Sequence, residues 1–398
     1  MQRSEHRILT THAGSLPRPP HLVELLARLN HHEPVDPTEL ANTVEEAVPD
    51  VVARQIDAGI DIGNDGEQGR ESFFTYVQYR MTGFGGAGDE ARNWQDIADF
   101  PGFADIRRQQ RSNRPQVSLV RPPKAIGDIQ YLDKGAVEAD CRRLTNAATA
   151  QARTAGAQSA DVHGFTETFL TSPSPGIVAA AMANAHYPTL EDYVNAVADA
   201  LAVEYRGIIE AGHVLQIDAP DLAMERHSLF AARPLEDFLA FVDVVIAAIN
   251  RAVTGLPARN IRLHVCWGNY GGPHTHDVPL AELLGHLYQA NVGGLLLSMA
   301  NPRHEHEYKE LARNPLPNGW LLATGVIDVT TNYVEHPEVV ADRLERVAEA
   351  IGDPTRILAC TDCGFDTAAG FSQVALDVAW AKLRTMRAGA DLASTRLF

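Results

Sequence analysis

The sequence predicts an α/β fold, a closed barrel of eight parallel strands wrapped by helices, on three observations. Short apolar runs alternate with longer amphipathic stretches, the pattern of repeated β-α units. Eight such runs occur along 398 residues, a length that accommodates one large α/β barrel. Each run begins apolar and finishes on a residue able to do chemistry. In a barrel, unlike an open doubly wound sheet, all strand C-termini meet at one face, so distant residues of this kind converge. The architecture implied is a TIM (β/α)8 barrel forming one domain over residues 1–398.

In chain order the strand candidates are "ILTTHAG", "GIDIGNDGE", "ADVHGFTE", "HVLQIDAP", "IRLHVCWG", "VGGLLLSMA", "LLATGVIDV" and "RILACTDCG". Their chemically able ends are Ser15, Glu67, Glu167, Asp218, His264 with Cys266, Ser298, Asp328 and Cys363. Between them, "TVEEAVPDVVARQIDA", "LEDYVNAVADALAVEYRGIIEA", "LEDFLAFVDVVIAAINRAV", "LAELLGHLYQA" and "PEVVADRLERVAEAIG" carry apolar residues at helical spacing. The segment "RPPKAIGDIQYLDKG" reads as an inserted hairpin before the third strand. The Gly-, Pro- and charge-rich region 83–115 reads as a loop excursion over the C-terminal face.

Composition narrows the function. A net charge of -17 opposes binding to a polyanion, which draws its affinity from Lys and Arg, so nucleic acid is not an expected partner. The opening residues lack an apolar signal core, and no window approaches the roughly 20 apolar residues of a membrane span. No membrane partner is expected, and the expected location is the cytoplasm. Four cysteines, Cys141, Cys266, Cys360 and Cys363, are too few and too dispersed for a disulfide framework, which leaves metal binding or catalysis. Cys360 and Cys363 have C-x-x-C spacing, but "RILACTDCGF" reads as a strand entering a loop and not as the helix N-terminus of a redox pair. Cys360 is assigned to the core and Cys141, in "EADCRRL", to a helix.

The stretch "HVCWGNYGG" places His264 and Cys266 two positions apart on a strand, so both side chains face one space about 7 Å apart at Cα. Cys363, at the end of the last strand, would reach the same barrel face. One histidine and two thiolates suit zinc, and three protein ligands with a free fourth position mark a catalytic site. The alternative is that each cysteine is a small apolar core residue.

These motifs resemble a known family. "THAGSLPRP", "DIGNDGEQGR", "VLQIDAPDL", "HVCWGN", "MANPRHEHE", "TGVIDVTTNY" and "CTDCGF" are similar, in order, to the C-terminal catalytic barrel of cobalamin-independent methionine synthase and its single-barrel relatives. The resemblance implies a Zn2+ cofactor held by His264, Cys266 and Cys363, with the thiol of a small substrate bound to it as a zinc thiolate. The family's glutamate ligand falls on Ser298, leaving the fourth position to substrate, to water, or to His304, Glu305, His306 or Glu307 in "HEHE". A solvated helix start is the competing reading of "HEHE". Ala13, Gly14 and Ser15 match the homocysteine-binding motif, and Glu67 and Asp218 match carboxylates that hold the substrate amino group. A further family carboxylate falls on Met224, and the histidine that protonates the folate leaving group falls on Thr330.

Substituting a neutral serine for a ligand carboxylate makes the substrate sulfur less electron-rich, and losing the proton donor disfavours a poor leaving group. Both changes suit an already reactive alkyl donor and not methylfolate. Epoxyalkane:coenzyme M transferase is a family relative of that kind. The expected function is therefore a zinc-dependent thiol alkyl- or methyltransferase whose partners are a small thiol and an alkyl donor. A barrel that binds metal or thiol without turnover is the second hypothesis, and a zinc-free decarboxylase on the same barrel the third. Arg70 is a candidate for a carboxylate or sulfonate on the thiol, or else for an internal salt bridge. Asp328 and Asp362 are candidates for orienting the metal ligands, and "FLTSPSPG" is assigned either to the donor pocket or to a turn.

Overall fold

The computed structural model describes residues 1–86, 88, 94–111, 117, 119, 122–158 and 164–398. Its eight parallel strands are β1 (Leu9–Thr10), β2 (Ile62–Gly63), β3 (Glu167–Pro173), β4 (Val214–Asp218), β5 (Ile261–Val265), β6 (Gly294–Leu297), β7 (Leu321–Ile327) and β8 (Ile357–Thr361). They follow one another around a nearly closed barrel in the order β1-β8-β7-β6-β5-β4-β3-β2. The seam between β1 and β2 has no ladder. It is spanned by the Asp61 amide donating to the Thr10 carbonyl at 3.1 Å and by Thr11 Oγ1 donating to the Ile62 carbonyl at 2.9 Å.

Helices follow the strands as the periodicity predicts, among them Pro37–Asp57, Leu190–Glu210, Leu235–Ala252, Leu280–Leu287 and Pro337–Ile351. In Leu190–Glu210 the Thr189 hydroxyl accepts from the Asp192 amide and fixes the start. Tyr193, Val197, Leu201, Tyr205 and Ile208, at helical spacing, form its buried stripe. No helix among the described residues is long and apolar enough to cross a membrane.

The core has two parts. Helix stripes and the outer faces of the strands make the larger one. Alternate strand residues pointing inward make the smaller one, with Leu9, Ile62, Phe169, Val214, Leu296, Ala323, Leu358 and Cys360 filling the barrel interior. Cys360 is thus core, and Cys141 lies buried on the helix Gly135–Gln158.

Two expectations change. The third strand is Glu167–Pro173, so it begins where "ADVHGFTE" ends, and 160–163 lie outside the described residues. The prolines of "FLTSPSPG" suggested a turn, but Phe169, Leu170, Thr171 and Ser172 are buried strand residues and Pro173 closes the strand. Glu167 therefore sits at the N-terminal end of the barrel, where it accepts from the Gln2 amide at 3.0 Å and lies 3.6 Å from the Met1 amine. The inserted hairpin also differs, because Lys124–Ala125 pairs antiparallel with Phe84–Gly85 and not within its own segment.

Candidate metal centre and active site

Strand register builds the site. His264 is the cross-strand partner of Asp218 at the C-terminal ends of β5 and β4, and Asp218 Oδ1 takes the His264 Nδ1 proton at 2.8 Å. Gln216, two residues earlier on the same inward face, donates to the same Oδ1 at 2.7 Å and to the Ala13 carbonyl at 2.6 Å. This fixes the imidazole with Nε2 directed away from the carboxylate, and Nε2 is buried without a hydrogen-bond partner. Cys266 follows by strand alternation and Cys363 arrives from the loop after β8. One ligand atom from each of the three residues lies within 4.8 Å of the other two.

The electrostatics are those of a donor set awaiting a cation. Burial would lower the His264 pKa, but the Asp218 carboxylate and the adjoining Cys266 raise it to about 10. A hydrogen bond from Cys363 and the neighbouring imidazole hold the Cys266 thiol well below its ordinary range, while Cys266 and burial push Cys363 up. An orphaned imidazole nitrogen and two convergent sulfurs, one favoured as thiolate, fit zinc.

Cys266 and Cys363 line a cleft together with Ser298, Asp328 and Thr330. Ser298 Oγ donates to the Asp362 carbonyl at 2.7 Å. Asp362 does not contact His264. Its carboxylate accepts the amides of Met299, Ala300 and Asn301 at 2.8, 2.8 and 2.7 Å and so pins the loop after β6 to the end of β8. Asp328 likewise serves its own loop, accepting from Thr330 and Thr331. The residue that orients the histidine is Asp218, a role the sequence reading gave to Asp328 and Asp362.

Behind the trio lie Ser15, Gly14 and Glu67. A Cβ on Gly364 would come 1.9 Å from Ser15 Oγ, so only glycine lets the loop carrying Cys363 approach Ser15 this closely. Gly14, at φ +127°, plays the same part beside Glu67, whose Oε1 would lie 2.7 Å from an added Cβ. Glu67 Oε1 accepts from Thr171 Oγ1 at 2.9 Å, and Oε2 is buried and unpartnered. Burial and the nearby Asp218 carboxylate raise the Glu67 pKa to about 7.

Arg70 is 2% exposed, donates through Nη1 to Thr171 at 2.8 and 3.0 Å, and has Nη2 3.6 Å from Asp140. Its guanidinium also lies over the Tyr76 ring at 4.4 Å. This is the internal pairing, and a substrate-oxyanion role is not carried forward. In the "HEHE" stretch His306 is exposed, whereas His304 and Glu307 are held in a buried network of their own. His304 and Glu307 are buried, the helix begins at Tyr308, and both His304 nitrogens are engaged, by Glu307 at 2.8 Å and Asp277 at 2.7 Å.

No family model matches the chain. Methionine synthase of Sulfurisphaera tokodaii is 23% identical over 359 residues, 89% of this chain and 85% of that protein. Methionine synthase of Sulfolobus acidocaldarius is 25% identical over 358 residues, with the same coverage. The chain is a distant homologue of the cobalamin-independent methionine synthase family, among its single-barrel members.

The fold agrees with that of a B12-independent methionine synthase from a Shewanella species in complex with selenomethionine, at TM-score 0.71 and 23% identity over 98% of this chain and 99% of that one. A putative vitamin-B12-independent methionine synthase from Listeria monocytogenes superposes at TM-score 0.60 and 19% identity, over 97% and 99%. Sequence reasoning missed the Asp218–His264 pair and a histidine cluster around Asp277. The first depends on strand register, which the sequence does not state, and the second is signalled only by the run "PHTHD" at 273–277.

Proposed function

We propose that this chain is a zinc-dependent transferase that places an alkyl or methyl group on the sulfur of a small thiol. The observation carrying this reading is the convergence of buried His264 with the Cys266 and Cys363 sulfurs, the two cysteines lining one cleft. Distant homology to methionine synthases along 89% of the chain supports a methyltransferase chemistry. His264, Cys266 and Cys363 would hold the ion, and zinc bound there would keep a substrate thiol deprotonated at neutral pH.

The chain's own groups do the rest. Asp218 holds His264 in one tautomer. Glu67, with a free buried oxygen beside Asp218, offers negative charge suited to the amino group of an amino-acid thiol. Ser15, packed against Gly364, sits on the path between that carboxylate and Cys363. Substrate sulfur forms the new S–C bond, and the C–X pair leaves with the donor's leaving group.

Ser298 brings no negative charge, and Thr330 stands where a methylfolate enzyme of this family carries its proton donor. These two residues favour a donor that leaves without protonation, such as a methyl on cationic sulfur or nitrogen, or that relieves strain, such as an epoxide.

The test is zinc quantification on wild type and Cys363→Ser, paired with a thiol-consumption assay over such donors. Wild type should lose about one zinc per chain on this substitution, together with thiol alkylation. Unchanged zinc in Cys363→Ser would remove the catalyst from the reading. Zinc retained by wild type with no alkylated product from any donor would instead support a barrel that binds without turnover.

A further inference from the structure

The wall of the same cleft holds a second convergent cluster, in the loops after β4, β5 and β6. At its centre is Asp277, whose side chain is 1% exposed. Oδ2 lies 2.8 Å from His274 Nδ1 and 2.7 Å from His304 Nε2, and Oδ1 lies 3.0 Å from His227 Nδ1.

The outer partners fix the tautomers of two of these rings. His274 Nε2 faces the Tyr270 carbonyl at 3.0 Å, and His304 Nδ1 faces Glu307 Oε2 at 2.8 Å. Both partners accept, so both outer nitrogens carry protons, and the inner nitrogens turn toward Asp277. An imidazole whose far N–H is held by a carbonyl or carboxylate is the arrangement that prepares a metal ligand. His304 is further locked by stacking on Trp267, ring centroids 3.9 Å apart.

His227 supplies the independent observation. It is 0% exposed, yet among the described residues neither ring nitrogen has a hydrogen-bond partner, and Asp277 Oδ1 is likewise unpartnered despite lying 3.0 Å away. Leaving such groups unsatisfied in the interior is destabilising. Protons on His274 and His304 would neutralise Asp277 but would leave both orphans in place. A cation bound at Asp277 supplies positive charge beside the oxygen that faces His227.

We propose that Asp277 anchors a second divalent-metal site, separate from the His264–Cys266–Cys363 trio, with His274 and His304 as its convergent ligands and His227 facing the opposite carboxylate oxygen. Two imidazoles and one carboxylate, with no sulfur, suit a borderline cation of the zinc type. Asp96 lies on the His227 side, with a ligand atom within 4.8 Å of those of His227 and Asp277. The ion clamps three separate loops over the cleft. This site does not depend on the transferase reading.

Zinc content and cobalt spectra of the full chain test it. The double variant Cys266→Ser, Cys363→Ser should retain about one zinc per chain, and Asp277→Asn should lose about one. Cobalt-loaded Asp277→Asn should keep the near-ultraviolet sulfur-to-cobalt band of the trio. Zinc added to the cysteine double variant should also shift histidine ring resonances in NMR, a readout that needs no change in the Asp277 cluster. A cysteine double variant that takes up no zinc and shows no shifted histidine would overturn the proposal. Failure of the trio to bind zinc would sink the transferase reading while leaving this outcome independent.

Discussion

At the scale of single residues, the trio was legible because strand alternation alone sets His264 beside Cys266, and a chemically able strand end announces Cys363. Its orienting partner was not legible, because the pairing of Asp218 with His264 depends on register between β4 and β5, which the sequence does not state. Asp218→Asn keeps the shape but loses the charge that fixes the imidazole. Zinc affinity in a competition titration should fall about 10–100-fold with an unchanged circular dichroism spectrum. Glu67 gives a second prediction at this scale. Its pKa moves from 4.5 to about 7, so the folded state binds more protons across that interval. Its contribution to stability is therefore complete below about pH 4.5 and is lost as pH rises through about 7. Glu67→Gln should gain on wild type between pH 5.5 and 8 in urea denaturation, by about 3 kcal/mol at most. An identical offset at both pH values would show that Glu67 ionises as an ordinary carboxylate.

At the scale of elements, patterning located seven of the eight strands and missed the third. The inward and outward residues of Glu167–Pro173 are both buried, so the run lacks alternation, and its terminal prolines carry the sequence signature of a turn. "HEHE" misled for a related reason: its charges read as solvated, whereas His304 and Glu307 are paired and buried under Trp267. The loop after β6 shows what a buried carboxylate does when it is not at the metal. Asp362 satisfies three consecutive amides, which have no other acceptor to turn to in a buried loop. Asp362→Ala should therefore destabilise the fold by about 2–4 kcal/mol in urea denaturation. Asp328→Ala, which releases only the adjacent Thr330 and Thr331, should lose about 1 kcal/mol. If the two variants lose equal stability, the pinning role assigned to Asp362 is wrong.

For the whole molecule, the count of β-α units implied a barrel but not how it closes. Strands β1 and β2 each contribute only two residues, and the sheet's hydrogen-bonded order begins with one and ends with the other. Closure falls to side chains, chiefly to Asp61, which lies just before β2. Its carboxylate takes both arms of Arg7 at 2.7 and 2.6 Å, the Thr10 amide at 2.9 Å, and Arg387 from the C-terminal helix Leu376–Leu397 at 3.2 Å. One residue thus joins the first strand, the second and the last helix. The Arg7 side chain is 37% exposed, so solvent weakens that pair, and the Thr10 bonds carry more of the clasp. Asp61→Ala should lower stability by about 2–3 kcal/mol, less than a fully buried pair would give. Hydrogen exchange supplies the decisive pattern: amides of β1 and β2 should lose protection first, while the ladders from β3 through β8 keep theirs. Loss of protection spread evenly around all eight strands would mean that the seam is no weaker than the rest of the barrel.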